Sequence, residues 1–180
     1  MVSSDNALLV IDMQQGLFRG PVSPFSADTI LENIRLLITH ARHAQVPVFF
    51  ARHIGPDDSP LSEKGPLTQL IPELGVKEQD VVFTKRYPSC FRDTVLLREL
   101  NQRGVKQLVI AGMKTEFCVD TTCRAAPDLG FRTVLISDAH TTMDNEHLFA
   151  SDIIRHHNST LAGPFVTLST ASDWHFNTLG

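Results

Sequence analysis

Three side chains that can hold or move a proton stand at the ends of apolar runs. Asp12 closes LLVID, Lys85 closes VVFTK, and Cys118 lies six residues beyond Gly112, which ends QLVIAG. An ionised cysteine is a strong nucleophile. A carboxyl beside it can take the thiol proton and later return it to a leaving group. An ammonium close to both favours the thiolate and keeps the carboxyl charged. Cys118 also sits near the start of a helical pattern, where unpaired N–H groups and the helix dipole favour negative charge, so a lowered thiol pKa is expected. The segment GMKTEF would place backbone N–H groups around the thiol, where an oxyanion could be held. Each residue alone has a plainer reading: a small core hydrophobe for Cys118, a turn or capping residue for Asp12, a solvated charge for Lys85. Their joint placement at three strand ends is what singles them out.

The elements that must position them are short apolar runs alternating with helical patterns. The runs cover 7–12, 46–52, 80–85, 107–112, 131–139 and 164–169, and several are almost continuously apolar and β-branched. Strands buried on both faces of a parallel sheet have that composition. Between them, Ile30, Ile34, Leu37, Ile38 and Ala41 recur at helical spacing, with Ser26 or Asp28 as N-cap candidates. Asp93 could cap a helix carrying Leu96, Leu97 and Leu100 that ends at Gly104. Further helices are expected from about Phe117 to Leu129 and from about Asn145 to Ala162, the latter with Phe149, Ile153, Ile154, His157 and Leu161 near one face. This alternation predicts an α/β chain of βαβ units in three α/β/α layers, a single domain over 1–180. Open sheets of that kind bind ligands at the carboxyl ends of their strands, which is where the three residues fall. Residues 54–79, rich in Pro, Gly, Asp and Ser, read as a long loop that walls a site or covers it.

Composition narrows the function. The 180 residues carry a net charge of -4, with 16 basic and 20 acidic side chains, so neither nucleic acid nor an anionic membrane surface is an expected partner. No apolar run is long enough to span a bilayer, and MVSSDNALLVIDMQQ lacks the basic-then-apolar order of a secretory signal. Three cysteines, an odd and small number, argue against a disulfide framework and for a reducing, cytoplasmic setting.

The segments LLVIDMQQGLF, KRYPSCFRDTVLLREL, LVIAGMKTEFCVDTTCRAAPDLGF and LISDAHTT together resemble the isochorismatase-like cysteine hydrolase superfamily, over roughly residues 6 to 170. The resemblance implies a six-stranded parallel sheet and a triad of Asp12, Lys85 and Cys118. It implies a cis peptide between Met113 and Lys114, with the amides of Lys114 and Cys118 forming the oxyanion hole. It also implies a homo-oligomer, dimer or tetramer. Nicotinamidases in this group carry an Asp-x-His motif and further histidines after the second strand that bind a metal. Here the region reads ARHIGPDDSPL and offers His53, Asp57 and Asp58 without that spacing, so no metal and no cofactor is expected. Isochorismatases proper, which cleave a vinyl ether, lack the cysteine that this chain has. The resemblance is nearest to the streptothricin-hydrolase-like branch. It implies cleavage of a carbon–nitrogen bond, amide or lactam, in a small molecule through a thioester. The alternatives are a vinyl-ether or other non-amide hydrolase, and a redox-sensing or ligand-binding protein that uses the same thiol.

Other residues have two readings each. Cys123 is about 140° around a helix from Cys118 and is expected in the core. Cys90, in YPSCF, lines the pocket or packs. His140, in DAHTT, borders the site from a strand end, and Phe18, Arg19 and His53 follow the first two strands as pocket walls. His147, His156 and His157 read as a solvated face rather than metal ligands.

Overall fold

The computed structural model describes residues 5–176. Six strands form one sheet: β1 (Asn6–Ile11), β2 (Val48–His53), β3 (Val81–Lys85), β4 (Gln107–Met113), β5 (Arg132–Thr141) and β6 (Thr167–Ser169). Their spatial order is β3-β2-β1-β4-β5-β6, and every pairing is parallel. The order reverses between β1 and β4. At such a switch point the loops diverge to opposite faces and leave a crevice at the strand ends.

The period-2 alternation of the strands sorts their side chains into two cores. Leu8, Val10, Val48, Phe50, Val109 and Ala111 face the helix Ala27–His43, packing on its Ile30, Ile34, Leu37 and Ile38. Leu9, Ile11, Phe49, Ala51, Leu108 and Ile110 face the other way, onto Leu96, Leu100, Val119, Cys123, Ala126 and Leu161. With a helical layer on each face, β1 is buried along its whole length, which is why it reads as a continuous apolar run. The helices are α1 (Gln15–Phe18), α2 (Ala27–His43), α3 (Leu96–Gln102), α4 (Asp120–Asp128) and α5 (Ala150–Leu161).

Several boundaries depart from the expected ones, for local reasons. Ser26 is the N-cap residue of α2 but makes no side-chain cap bond. Thr94, not Asp93, serves the start of α3, its hydroxyl accepting the Leu96 N–H at 3.2 Å. The helix expected from Asn145 begins only at Ala150. The Asn145 carboxamide oxygen holds the N–H groups of His147 and Leu148 in a loop, and Asp144 accepts the Ala150 N–H at 2.7 Å. Phe149 is accordingly 68% exposed and lies off the core face. The long segment 54–79 carries two short 3₁₀ turns, Pro66–Thr68 and Pro72–Leu74. It is tied down at Thr68, whose carbonyl accepts from Gln14 Nε2 and Arg52 Nε at 2.9 Å each.

Two features shape the crevice. Gly112 sits at φ +123, and a Cβ there would lie 2.2 Å from the Ile11 carbonyl oxygen. Only glycine lets β4 approach the end of β1 that closely. Asp12, the next residue along β1, adopts φ +53, a left-handed conformation that Asp tolerates better than most residues.

Candidate active site

The three strand ends bring Asp12, Lys85 and Cys118 into contact. Lys85 Nζ lies 2.8 Å from Asp12 Oδ2 and 3.1 Å from Cys118 Sγ. Exposure is 1% for Asp12, 2% for Lys85 and 8% for Cys118, so the group is nearly closed to water. The contact with Asp12 is a close buried ion pair, and the carboxylate also lies within hydrogen-bonding reach of the Cys118 thiol.

Burial and mutual charge set the protonation states. Desolvation raises the Asp12 pKa, opposed by the Lys85 ammonium. Burial alone would lower Lys85, but the Asp12 carboxylate outweighs it and holds the ammonium charged. Cys118 is pushed up to about 12, by burial first and then by the adjacent carboxylate, with Lys85 opposing both. The lowered thiol pKa expected from a helix start is therefore not the resting condition. The helix-terminus effect is weak beside desolvation plus a carboxylate in contact. The pair of ionised groups is Asp12 and Lys85, and Cys118 rests as a thiol.

The cysteine sits in a π-helical turn, Thr115–Val119, that precedes α4. Turns of this type gather at functional sites. The Met113–Lys114 peptide leading into it is cis. The carbonyl of Lys114 accepts the N–H groups of Phe117 and Val119 at 3.2 Å each, and the Cys118 N–H between them is not bound to that oxygen. The turn is braced from behind. Thr115 Oγ1 meets His140 Nδ1 at 2.9 Å, and His140 Nε2 meets Asn158 Oδ1 at 2.9 Å. Asn158 spends its own N–H on the Ser137 carbonyl, so its oxygen accepts from His140 Nε2–H, and Nδ1 accepts from Thr115. The imidazole is thus neutral; its full burial holds its pKa down at about 4.

The five expected pocket residues divide, and Arg19 turns away to pair with Glu73 at 2.6 Å. His53 touches this buried cluster, with Nδ1 at 3.3 Å from Lys85 Nζ. Cys90 and His140 are both 0% exposed and Phe18 only 2%, so none of these three forms an open pocket wall. Cys90 packs in the core, its N–H on Thr122 Oγ1, and burial pushes its thiol up to about 12. His140 faces inward because the register between β4 and β5 slips past Ile110 and pairs His140 with Gly112. Phe18 joins the α2 core. Asp57, one of the acids weighed as a metal ligand, is turned to solvent and pairs with Arg86. A different trio, Asp12, His53 and Cys118, brings ligand-type atoms within 4.8 Å of one another. The Lys85 ammonium contacts all three of these residues and holds the position a cation would take.

Two contributors carried no sequence signal beyond being polar near a strand end. Tyr87 offers its carbonyl to Lys85 Nζ at 3.2 Å. Gln14, 1% exposed, bonds both backbone groups of His53 and also the Thr68 carbonyl, joining the end of β2 to the 54–79 segment.

A doubly wound parallel sheet with polar groups converging at its switch point defines a class, the α/β domains that handle small molecules at their strand ends. Within it, this chain belongs to the isochorismatase family, whose isochorismatase domain matches residues 6–162. It is 29% identical over 172 residues to the secreted isochorismatase effector Isc1 of Verticillium dahliae, covering 95% of this chain and 90% of that protein. It is 36% identical to streptothricin hydrolase of Streptomyces noursei, over 77% of this chain and 50% of that protein. The crystal structure of a cysteine hydrolase from Pseudomonas syringae pv. phaseolicola 1448A superposes with a TM-score of 0.88 at 27% identity, covering 94% of this chain and 90% of that one. Among the described residues no helix is long and apolar enough to cross a membrane.

Proposed function

We propose that this chain is a cysteine hydrolase that cleaves a carbon–nitrogen bond, amide or lactam, of a small molecule through a thioester. The observation that carries the reading is the buried contact of one ammonium with a carboxylate at 2.8 Å and a thiol at 3.1 Å. The streptothricin hydrolase and the Pseudomonas cysteine hydrolase among its relatives support it.

The protonation states define the order of events. At rest the thiol keeps its proton, because a thiolate beside the Asp12 carboxylate would put two anions in a nearly dry site. A substrate carbonyl placed over Sγ changes that balance. As the S–C bond forms, the thiol proton passes to Asp12 and the negative charge moves to the carbonyl oxygen. The N–H groups of Lys114 and Cys118 receive that oxyanion. Collapse of the tetrahedral species breaks the C–N bond, and Asp12 returns the proton to the departing nitrogen. A water molecule, deprotonated by the same carboxylate, then attacks the thioester and releases the acid, and Cys118 regains its proton from Asp12. Lys85 remains charged throughout and offsets the anion wherever it resides.

Redox sensing through the same thiol is disfavoured by two observations: Cys118 is 8% exposed and its pKa is raised, whereas sensor thiols are accessible and ionised. The three described cysteines are free, as they would be in a reducing compartment, whereas the Verticillium relative is a secreted effector. The deciding experiment is turnover of a panel of primary amides and lactams by the wild type and Cys118→Ala, with mass spectrometry for a thioester on Cys118. Substrate-dependent acylation of Cys118 and loss of turnover in the variant are expected. Undiminished turnover by Cys118→Ala would remove the reading.

A further inference from the structure

We propose that His53 is a positioning residue of this site: through Nδ1 of a neutral imidazole it holds the Lys85 ammonium between Asp12 and Cys118. The proposal builds on the hydrolase reading above and gives the site a fourth side chain.

The ammonium has four acceptors around it: Asp12 Oδ2 at 2.8 Å, Cys118 Sγ at 3.1 Å, the Tyr87 carbonyl at 3.2 Å and His53 Nδ1 at 3.3 Å. An ammonium has hydrogens to donate and no lone pair, so His53 Nδ1 must accept. That places the imidazole proton on Nε2 and leaves the ring uncharged. Burial and the Lys85 charge lower the His53 pKa against the opposing Asp12 carboxylate, which agrees with a neutral ring.

The four acceptors differ in what the chemistry does to them. Asp12 gains and loses a proton, and Cys118 passes from thiol to thioester and back. The Tyr87 carbonyl and His53 Nδ1 keep their charge throughout. A lysine on a flexible four-carbon stem follows the strongest anion unless something constant holds it. If it followed Asp12 alone it would cease to offset charge on sulfur. The two constant acceptors fix it where it reaches both.

His53 is itself held for this purpose. It pairs with Lys85 in the β2–β3 register, and the Ile54 N–H donates to the Lys85 carbonyl at 2.9 Å. Gln14 accepts the His53 N–H at 2.8 Å and donates to its carbonyl at 2.9 Å. Gln14 lies two residues beyond Asp12, so one turn of chain sets both the carboxylate and the backbone that carries the imidazole.

Asparagine and glutamine dissect the role, because an Asn oxygen lies near the place of Nδ1 whereas the Gln amide reaches toward Nε2. His53→Ala and His53→Gln are expected to lose roughly tenfold or more in kcat with KM within about twofold, and His53→Asn to recover most of that rate. A loss confined to KM, or equal damage in Asn and Gln, would overturn the proposal. A second readout needs no substrate. Alkylation of Cys118 by iodoacetamide at fixed pH should slow in Ala and Gln and recover in Asn, since a displaced ammonium no longer favours the thiolate. Cys90 and Cys123 are 0% exposed and do not compete for the reagent. Equal alkylation in all four proteins, each with a wild-type unfolding midpoint, would sink the proposal even if Cys118→Ala had already removed the hydrolase reading.

Discussion

Lys85→Met tests the electrostatics of the site without any knowledge of the substrate. Met fills a similar volume and removes the charge. The ion pair is separated by 2.8 Å; at an effective dielectric of about 20 its Coulomb attraction is about 6 kcal/mol. Part of that only offsets desolvation, so the expected loss of stability is about 3–5 kcal/mol, the cost of stranding one partner of a buried pair. The loss must depend on pH. With Lys85 gone, the largest opponent of the desolvation that already raises Asp12 is lost, and its folded pKa climbs further. A carboxyl whose folded pKa exceeds its unfolded value of about 3.9 stabilises the fold most below the unfolded value, and that contribution is lost as pH rises through the folded value. The gap between variant and wild type is therefore widest at pH 8. It narrows on acidification by up to about 1.4 kcal/mol per pH unit. Urea unfolding of both proteins at four pH values between 5 and 8 measures this directly. The neutral double variant Asp12→Asn/Lys85→Met should regain most of the loss, because no buried charge is left unpaired. A gap below about 1 kcal/mol at pH 8, or one that does not change with pH, would refute the argument that an ionised, water-excluded pair holds this site.

Three further outcomes follow from the packing. Iodoacetamide should modify native Cys118 slowly near pH 7 and faster as pH rises, because its thiol is pushed up to about 12, and reach Cys90 and Cys123 only after unfolding; rapid labelling at pH 7 would mean a resting thiolate instead. Gly112→Ala combines a left-handed φ with a Cβ 2.2 Å from the Ile11 carbonyl, so a destabilisation of about 3–5 kcal/mol or loss of soluble protein is expected, and an unchanged unfolding midpoint would contradict the close β1–β4 approach. Thr115→Val leaves the buried His140 Nδ1 without its donor and should cost about 1–3 kcal/mol in urea unfolding, with Thr115→Ser restoring most of it; equal stability of Val and Ser variants would show that the hydroxyl is not what braces the turn.

The strands were readable because their burial is written into consecutive residues. Each of the six apolar runs overlaps a strand of the sheet, and the order of apolar runs and helical patterns implied the layers. The whole of α5 was readable but its start was placed about five residues early, since the hydrogen bonds that delay it belong to Asp144 and Asn145 side chains whose targets lie two to six residues away. His140 and Cys90 illustrate the same limit. Their neighbours in the chain suggest a strand end and a loop, yet a register slip and a packed core turn both inward.

Residue types and their positions at strand ends were enough to select Asp12, Lys85 and Cys118, because the carboxyl ends of a parallel sheet share one edge whatever the loops between them do. Their protonation states were not available from the same information. Isolated rules predicted a thiol acidified by a helix start and a lysine. The folded chain instead buries all three groups and sets a carboxylate against the thiol, and desolvation with direct contact outweighs the dipole. The fourth side chain had the same status. Nothing in the letters ARHIG distinguishes His53 from a pocket wall, since its role depends on Nδ1 lying 3.3 Å from an ammonium 32 residues away, a distance that exists only once β2 and β3 are paired.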